Sequence, residues 1–219
     1  VRKHYSEELA GLREAVLRMG GLVEQMTHQA IRALVERRRE LLPGVAEMER
    51  QANHLHVEID EACLEMIALR QPAAADLRFI AAAMKINSDL ERIGDQAVNV
   101  SERAGALLAV PPLKPLIDIP RMAEIAKEML KGALDAFVQG DSALARAVLP
   151  RDDEVDHLKD QVFRELLTYM MADPSTIPRA MELILLSRHL ERIADHATNI
   201  AEDVIFMVEG RDVRHAPPP

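Results

Sequence analysis

Leu90-Glu91-Arg92-Ile93-Gly94-Asp95-Gln96-Ala97-Val98-Asn99-Val100-Ser101-Glu102 returns as Leu190-Glu191-Arg192-Ile193-Ala194-Asp195-His196-Ala197-Thr198-Asn199-Ile200-Ala201-Glu202, an offset of 100 with 8 of 13 positions identical. A weaker echo precedes each copy: Asn53-His-Leu-His-Val-Glu-Ile59 resembles Asp156-His-Leu-Lys-Asp-Gln-Val162 at an offset of 103. The three-residue difference fits a shorter turn in the second half. Self-similarity at a fixed period is the mark of a repeated supersecondary unit, here of about 110 residues. The cluster Pro111, Pro112 and Pro115 lies between the two copies and sets the boundary. The expected units are 1–112 and 113–210, followed by a disordered proline-rich tail, 211–219.

Outward from these motifs the pattern is helical throughout. Apolar residues recur at helical spacing, and no segment alternates as a strand would. The 9 glycines and 12 prolines mark ends rather than interiors. Six helices are expected. The first runs from about Ser6 to Glu40, before Pro43-Gly44; the second from Val45 to Leu69; the third from near Pro72 to Ala109. The fourth covers Ile119 to Val138 and stops at Gly140. Asp141-Ser142 caps the fifth, which reaches Met171 with Pro150 as a kink or break near its start. The sixth begins at Asp173-Pro174-Ser175 and ends at Gly210. Long helices with short loops read as an antiparallel bundle, so the fold class is all-α, two tandem three-helix bundles.

Composition narrows the function. The 219 residues are 48% apolar but only 3% aromatic, with no Trp and 11 Met, so the core is aliphatic. The net charge of −9 lacks the basic footprint of a non-specific nucleic-acid binder. One cysteine, Cys63, excludes an internal disulfide and a Cys-rich zinc site. Val1–Glu8 holds no apolar signal region, and no stretch reaches the roughly 18 apolar residues of a membrane span. A cytoplasmic protein is expected, meeting a membrane only through partners.

On a helix, Leu90, Ile93, Gly94, Ala97 and Val100 gather on one side, and Ala104 extends it. Glu91, Asp95, Asn99 and Glu102 form a separate acidic stripe that recurs as Glu191, Asp195, Asn199 and Glu202. A solvated face is the ordinary account of one such stripe. Yet carboxylates at i,i+4 repel by about 0.2–0.5 kcal/mol, and a face built for solubility would intersperse Lys or Arg. Carboxylates and an amide oxygen one turn apart suit a hard or borderline cation. The preceding helix of each half offers a second pair: Asp152 and Asp156 in the second half, Glu49 and Asn53 in the first. Its ordinary account is negative charge complementing a helix N-terminus.

The doubled Leu-Glu-Arg-Ile-Gly/Ala-Asp motif with Ala97/Ala197 and Asn99/Asn199 resembles the PhoU family of phosphate-signalling regulators. Leu69-Arg-Gln-Pro-Ala-Ala-Ala-Asp-Leu-Arg78 before the first motif and Phe163-Arg-Glu-Leu-Leu before the second extend the likeness over residues 4–208. The resemblance implies a six-helix, commonly dimeric, non-enzymatic cytoplasmic adaptor. It implies partners, a phosphate ABC transporter (through its ATPase) and a sensor histidine kinase, and a role in repressing the phosphate-starvation response and restraining uptake. Some members carry multinuclear iron or zinc at Glu/Asp-x-x-x-Asp motifs, and others are metal-free. By position, the implied ligands are Glu91, Asp95, Glu191, Asp195, Asp152 and Asp156, with Glu49 and Asn53 in the first half and Asn99 and Asn199 as further candidates. Asn53 supplies no anionic oxygen, so a cluster there would be weaker.

Other residues have plainer readings. His54 and His56 point about 200° apart on a helix and do not share one cation. His157, His189 and His196 are ordinary surface histidines near acidic motifs. Arg37-Arg38-Arg39 reads as a charged helix end complementing the dipole. The methionines at 19, 26, 48, 66 and 84, and Cys63, are core. No Gly-x-Ser-x-Gly, phosphate loop or dinucleotide fingerprint is present. One enzymatic competitor, a carboxylate-bridged metalloenzyme, would need Glu-x-x-His, but Gly94 and Ala194 stand at i+3. A plain dimerisation module is the third reading.

Overall fold

The computed structural model describes residues 2–213. Among them there is no strand, and seven α-helices follow one another: α1 (Arg2–Val35), α2 (Leu42–Arg70), α3 (Ala74–Leu108), α4 (Asp118–Gln139), α5 (Ser142–Val148), α6 (Asp152–Ala172) and α7 (Ile177–Glu209). The expected tail falls largely outside the described residues; of the part inside, 211–213 is irregular and Val213 packs on the core.

Each long helix buries one apolar row at 3–4-residue spacing. In α1 the row is Leu12, Val16, Met19, Val23, Met26 and Ala30. Helices α3 and α7 bury a wider arc because each serves two neighbourhoods. Helix α3 packs on α1, α2 and α7; α7 packs on α4, α5, α6 and α3. The result is two three-helix units whose buried residues join into one continuous aliphatic core. Residues 109–117, holding the proline cluster, carry no helix between the units.

Three helix ends depart from the expected ones. Helix α1 stops at Val35 rather than Glu40, because Arg37 adopts φ 53, in the left-handed region. The Arg38 N–H then donates to Ala33 O (2.8 Å) and the Arg37 N–H to Leu34 O (3.3 Å), the paired bonds of a Schellman cap. The fifth helix is two: Pro150 lies in a 3-10 turn, Leu149–Arg151, that separates α5 from α6. A second 3-10 turn, Pro174–Thr176, delays α7 to Ile177. Asp141 caps α5 as expected, its Oδ1 accepting from Ala143 N (2.8 Å) and Leu144 N (3.0 Å). Left-handed Gly140 and Gly210 close α4 and α7.

The arginine run does not serve the end of its own helix alone. Arg37 donates to Val110 O (2.9 Å) and Leu108 O (3.4 Å), and Arg39 to Gly105 O (3.4 Å), so these two cations complement the C-terminus of α3. Arg38 pairs with Glu36 and Glu40.

Candidate functional site

The second-half acidic residues come together on facing helices. Asp152 and Asp156 lie in the first turns of α6, and Glu191 and Asp195 face them from α7. Lys159 spans the gap: its Nζ donates to Asp156 Oδ1 (2.8 Å) and to Glu191 Oε1 (2.9 Å). Those two hydrogen bonds raise the lysine pKa above its ordinary value. The Asp152 carboxyl is pushed up to about 6, first by burial and then by the charges of Asp195, Asp156, Glu191 and Asp153. Partial burial and then Glu191 and Asp156 raise Asp195 too, against the opposing pull of His196 and Lys159.

The first-half set is looser. Glu49 and Asn53 on α2, and Glu91 and Asp95 on α3, occupy the matching helices; Asn53 and Asp95 are exposed, Glu49 and Glu91 half-buried. Position 56, which matches Lys159 at the offset of 103, is histidine. His56 Nε2 lies 3.6 Å from Asp60 Oδ2, and Asn87, fully buried, donates its Nδ2 to His56 O (2.9 Å) and Asp60 Oδ1 (3.0 Å). That network belongs to the α2–α3 contact and leaves Glu91 and Asp95 aside.

Among the described residues, no group of three or more His, Cys, Asp or Glu side chains stands close enough to hold a metal ion. The two halves meet this test differently. Around α2–α3 the donors are all oxygen, and no Lys or Arg pairs with Glu49, Glu91 or Asp95 among the described residues. Their chemistry fits a divalent cation, although the side chains do not converge. Around α6–α7 the carboxylates converge, but an ammonium already lies between two of them, and the set does not fit a metal as it stands.

The asparagines do not continue the stripe. A step of i+4 turns 40° round the helix, so by i+8 the row has drifted through 80°. Asn99 is half-buried on α3. Asn199 has reached the α3–α7 seam, where its Nδ2 donates to Asp89 Oδ1 (3.2 Å). The same oxygen accepts from His196 Nδ1 (2.8 Å). Seven residues along, Gln96 Oε1 accepts from His189 Nδ1 (2.9 Å). Burial, then Arg103, Arg192 and Arg188, lower the His189 pKa. Arg103 pairs with Glu182 (3.1 Å) and Lys85 with Asp203 (3.4 Å) across the same seam. Partner numbers fall on α7 as they rise on α3, so the two helices run antiparallel.

His189 and His196, expected at the surface, are half-buried in this polar seam and bonded to α3. Its signal was present: position 89 answers to 189, and 96 to 196, and each residue pairs with the counterpart of the other. A buried Asp or Gln inside an apolar arc needs a partner, and here the partner is the other half of the chain. Lys159 was passed over, since a lysine in an amphipathic helix ordinarily faces water.

Comparison with known proteins follows the same two-fold division. The PhoU domain matches twice, at residues 16–104 and 119–204. A protein of Aquifex aeolicus named phosphate-specific transport system accessory protein PhoU homolog is 46% identical over 209 residues, 95% of either chain. Its Caulobacter vibrioides namesake is 43% identical over 212 residues, 96% of this chain and 92% of its own. The crystal structure of PhoU from Pseudomonas aeruginosa superposes with a TM-score of 0.90 at 41% identity, covering 94% of this chain and all (100%) of that one. The phosphate transport system regulatory protein PhoU from Streptococcus pneumoniae gives 0.87 at 26% identity, covering 95% and 99%. With the domain matched in both halves and a relative 46% identical over 95% of the chain, the chain belongs to the PhoU family.

Proposed function

We propose that this chain is a cytoplasmic, non-catalytic adaptor of phosphate homeostasis. It docks on the ATPase of a phosphate ABC transporter and on a sensor histidine kinase, restrains phosphate uptake and represses the phosphate-starvation response when phosphate is plentiful. The observation that carries this reading is the end-to-end match to relatives named as accessory proteins of the phosphate-specific transport system. The surface supports an interaction role. Phe163, Leu167 and Met171, one turn apart on α6, are 49%, 41% and 77% exposed. A row of this kind suits a helix of a partner or of a second copy. No helix among the described residues is long and apolar enough to cross a membrane, so contact with a membrane transporter runs through protein surfaces. The working form is a homodimer. Iron or zinc, where bound, is held by Glu49, Asn53, Glu91 and Asp95 between α2 and α3, and serves structure or partner docking.

The test is a phosphate-starvation reporter in cells lacking the gene, grown in abundant phosphate. The expected result is a reporter that is on in the null strain and silenced when the wild-type gene is restored. A reporter that stays off in the null strain, or that stays on after restoration, overturns the repressing role.

A further inference from the structure

We infer that Lys159 is the resident cation of the α6–α7 acid cluster and excludes a divalent metal from it. Lys159 lies one turn beyond Asp156 on α6 and reaches across to Glu191 on α7, 2.8 and 2.9 Å from their oxygens. It thus joins one carboxylate from each helix, the place a metal bridging the helices would take. The ammonium is a compact point charge with three donors, two of them committed here. A divalent ion reaching the same oxygens would stand at about 2.0–2.2 Å from each, against a like charge in a half-buried site. Lys159 is 26% exposed and Glu191 22%, so water screens this repulsion only in part. The other titratable groups around it are Asp152 and Asp153 on α6 and Asp195 and His196 on α7, and Lys159 is the lysine hydrogen-bonded within the cluster. The first half has no equivalent: His56 at the matching position faces Asp60. The two copies have therefore diverged in how they neutralise their acids. This inference does not rest on the signalling role, and a protein that failed the reporter test could still pass the one below.

Mn²⁺ is the probe, titrated into the full chain with residue-resolved amide NMR, comparing wild type with Lys159→Met and Lys159→Arg. In the wild type and in Lys159→Arg, the amides of 152–159 and 188–196 keep their intensity. In Lys159→Met they broaden at Mn²⁺ concentrations about tenfold lower or less. Adding Glu191→Gln to Lys159→Met removes the gain. Selective broadening of the wild type at the concentration that broadens Lys159→Met overturns the inference, and so does the absence of broadening in both. Far-UV circular dichroism confirms that the variant is folded, with Lys159→Gln as the substitute if it is not. Broadening of the wild type is enough to overturn exclusion whatever the variants do, because tight Mn²⁺ binding at these amides is incompatible with a resident ammonium.

Discussion

Asp152 is crowded by four other carboxylates, and a single ammonium serves two of them. Its folded pKa of about 6 exceeds the ordinary 3.8, so the folded state holds the proton more tightly than the unfolded chain. Stability therefore declines as pH rises from 3.8 through 6, and the loss is complete above that. Asp152→Asn is expected to raise stability at pH 7.5 by about 1 kcal/mol after allowance for solvent screening, and to change little at pH 4. Urea unfolding in EDTA at the two pH values checks this; equal midpoints at pH 7.5 would show the carboxylate to be unstrained. At this scale the acids were legible, because the repeat set them apart. Lys159 was not: its role depends on which helix faces α6, and helical periodicity carries no such information.

At the scale of the element, caps and breaks decide where rods begin. Helix α5 has only seven residues and buries just Ala145 and Val148, so it depends on its first turn. Asp141→Ala leaves the Ala143 and Leu144 N–H groups without their acceptor and is expected to cost about 1 kcal/mol. Hydrogen exchange should quicken across 142–148 while α3 and α7 keep their protection; unchanged exchange in α5 would show the cap to be dispensable. This cap was readable as Asp-Ser after glycine, and the break at Pro150 from proline's missing donor. The end of α1 was not readable. Arg37 takes a left-handed conformation that glycine usually takes, at about 1–2 kcal/mol for an L-residue, and the run of arginines continues the helical pattern. Its guanidinium bonds to the carbonyls of Leu108 and Val110 lie 71 and 73 residues away and offset that strain through tertiary structure.

For the whole molecule, the question is whether two repeated units make two folding units. The repeat suggests independence, and the proline cluster supplies a linker. The packing runs the other way. Antiparallel α3 and α7 pack on each other across the two units, and Leu90 and Leu190, equivalent residues at the heart of each motif, are both fully buried in one continuous core. Gly20 adds a second junction, between α1 and α4: a Cβ there would overlap Leu134 Cδ1, and that side chain would have to shift. The seam is also polar in a specific way, with Asp89 serving His196 and Asn199, and Gln96 serving His189. Separating the halves would expose that apolar surface and return five buried or half-buried polar side chains to water at once. Unfolding is therefore expected to be a single transition, with calorimetric and van't Hoff enthalpies equal. Leu90→Ala and Leu190→Ala should each lower that same transition, by about 2–5 kcal/mol, because each leaves a cavity in a shared core. Two resolved transitions, with Leu90→Ala moving only one and Leu190→Ala only the other, would show instead that each half folds on its own and that the seam is a docking surface.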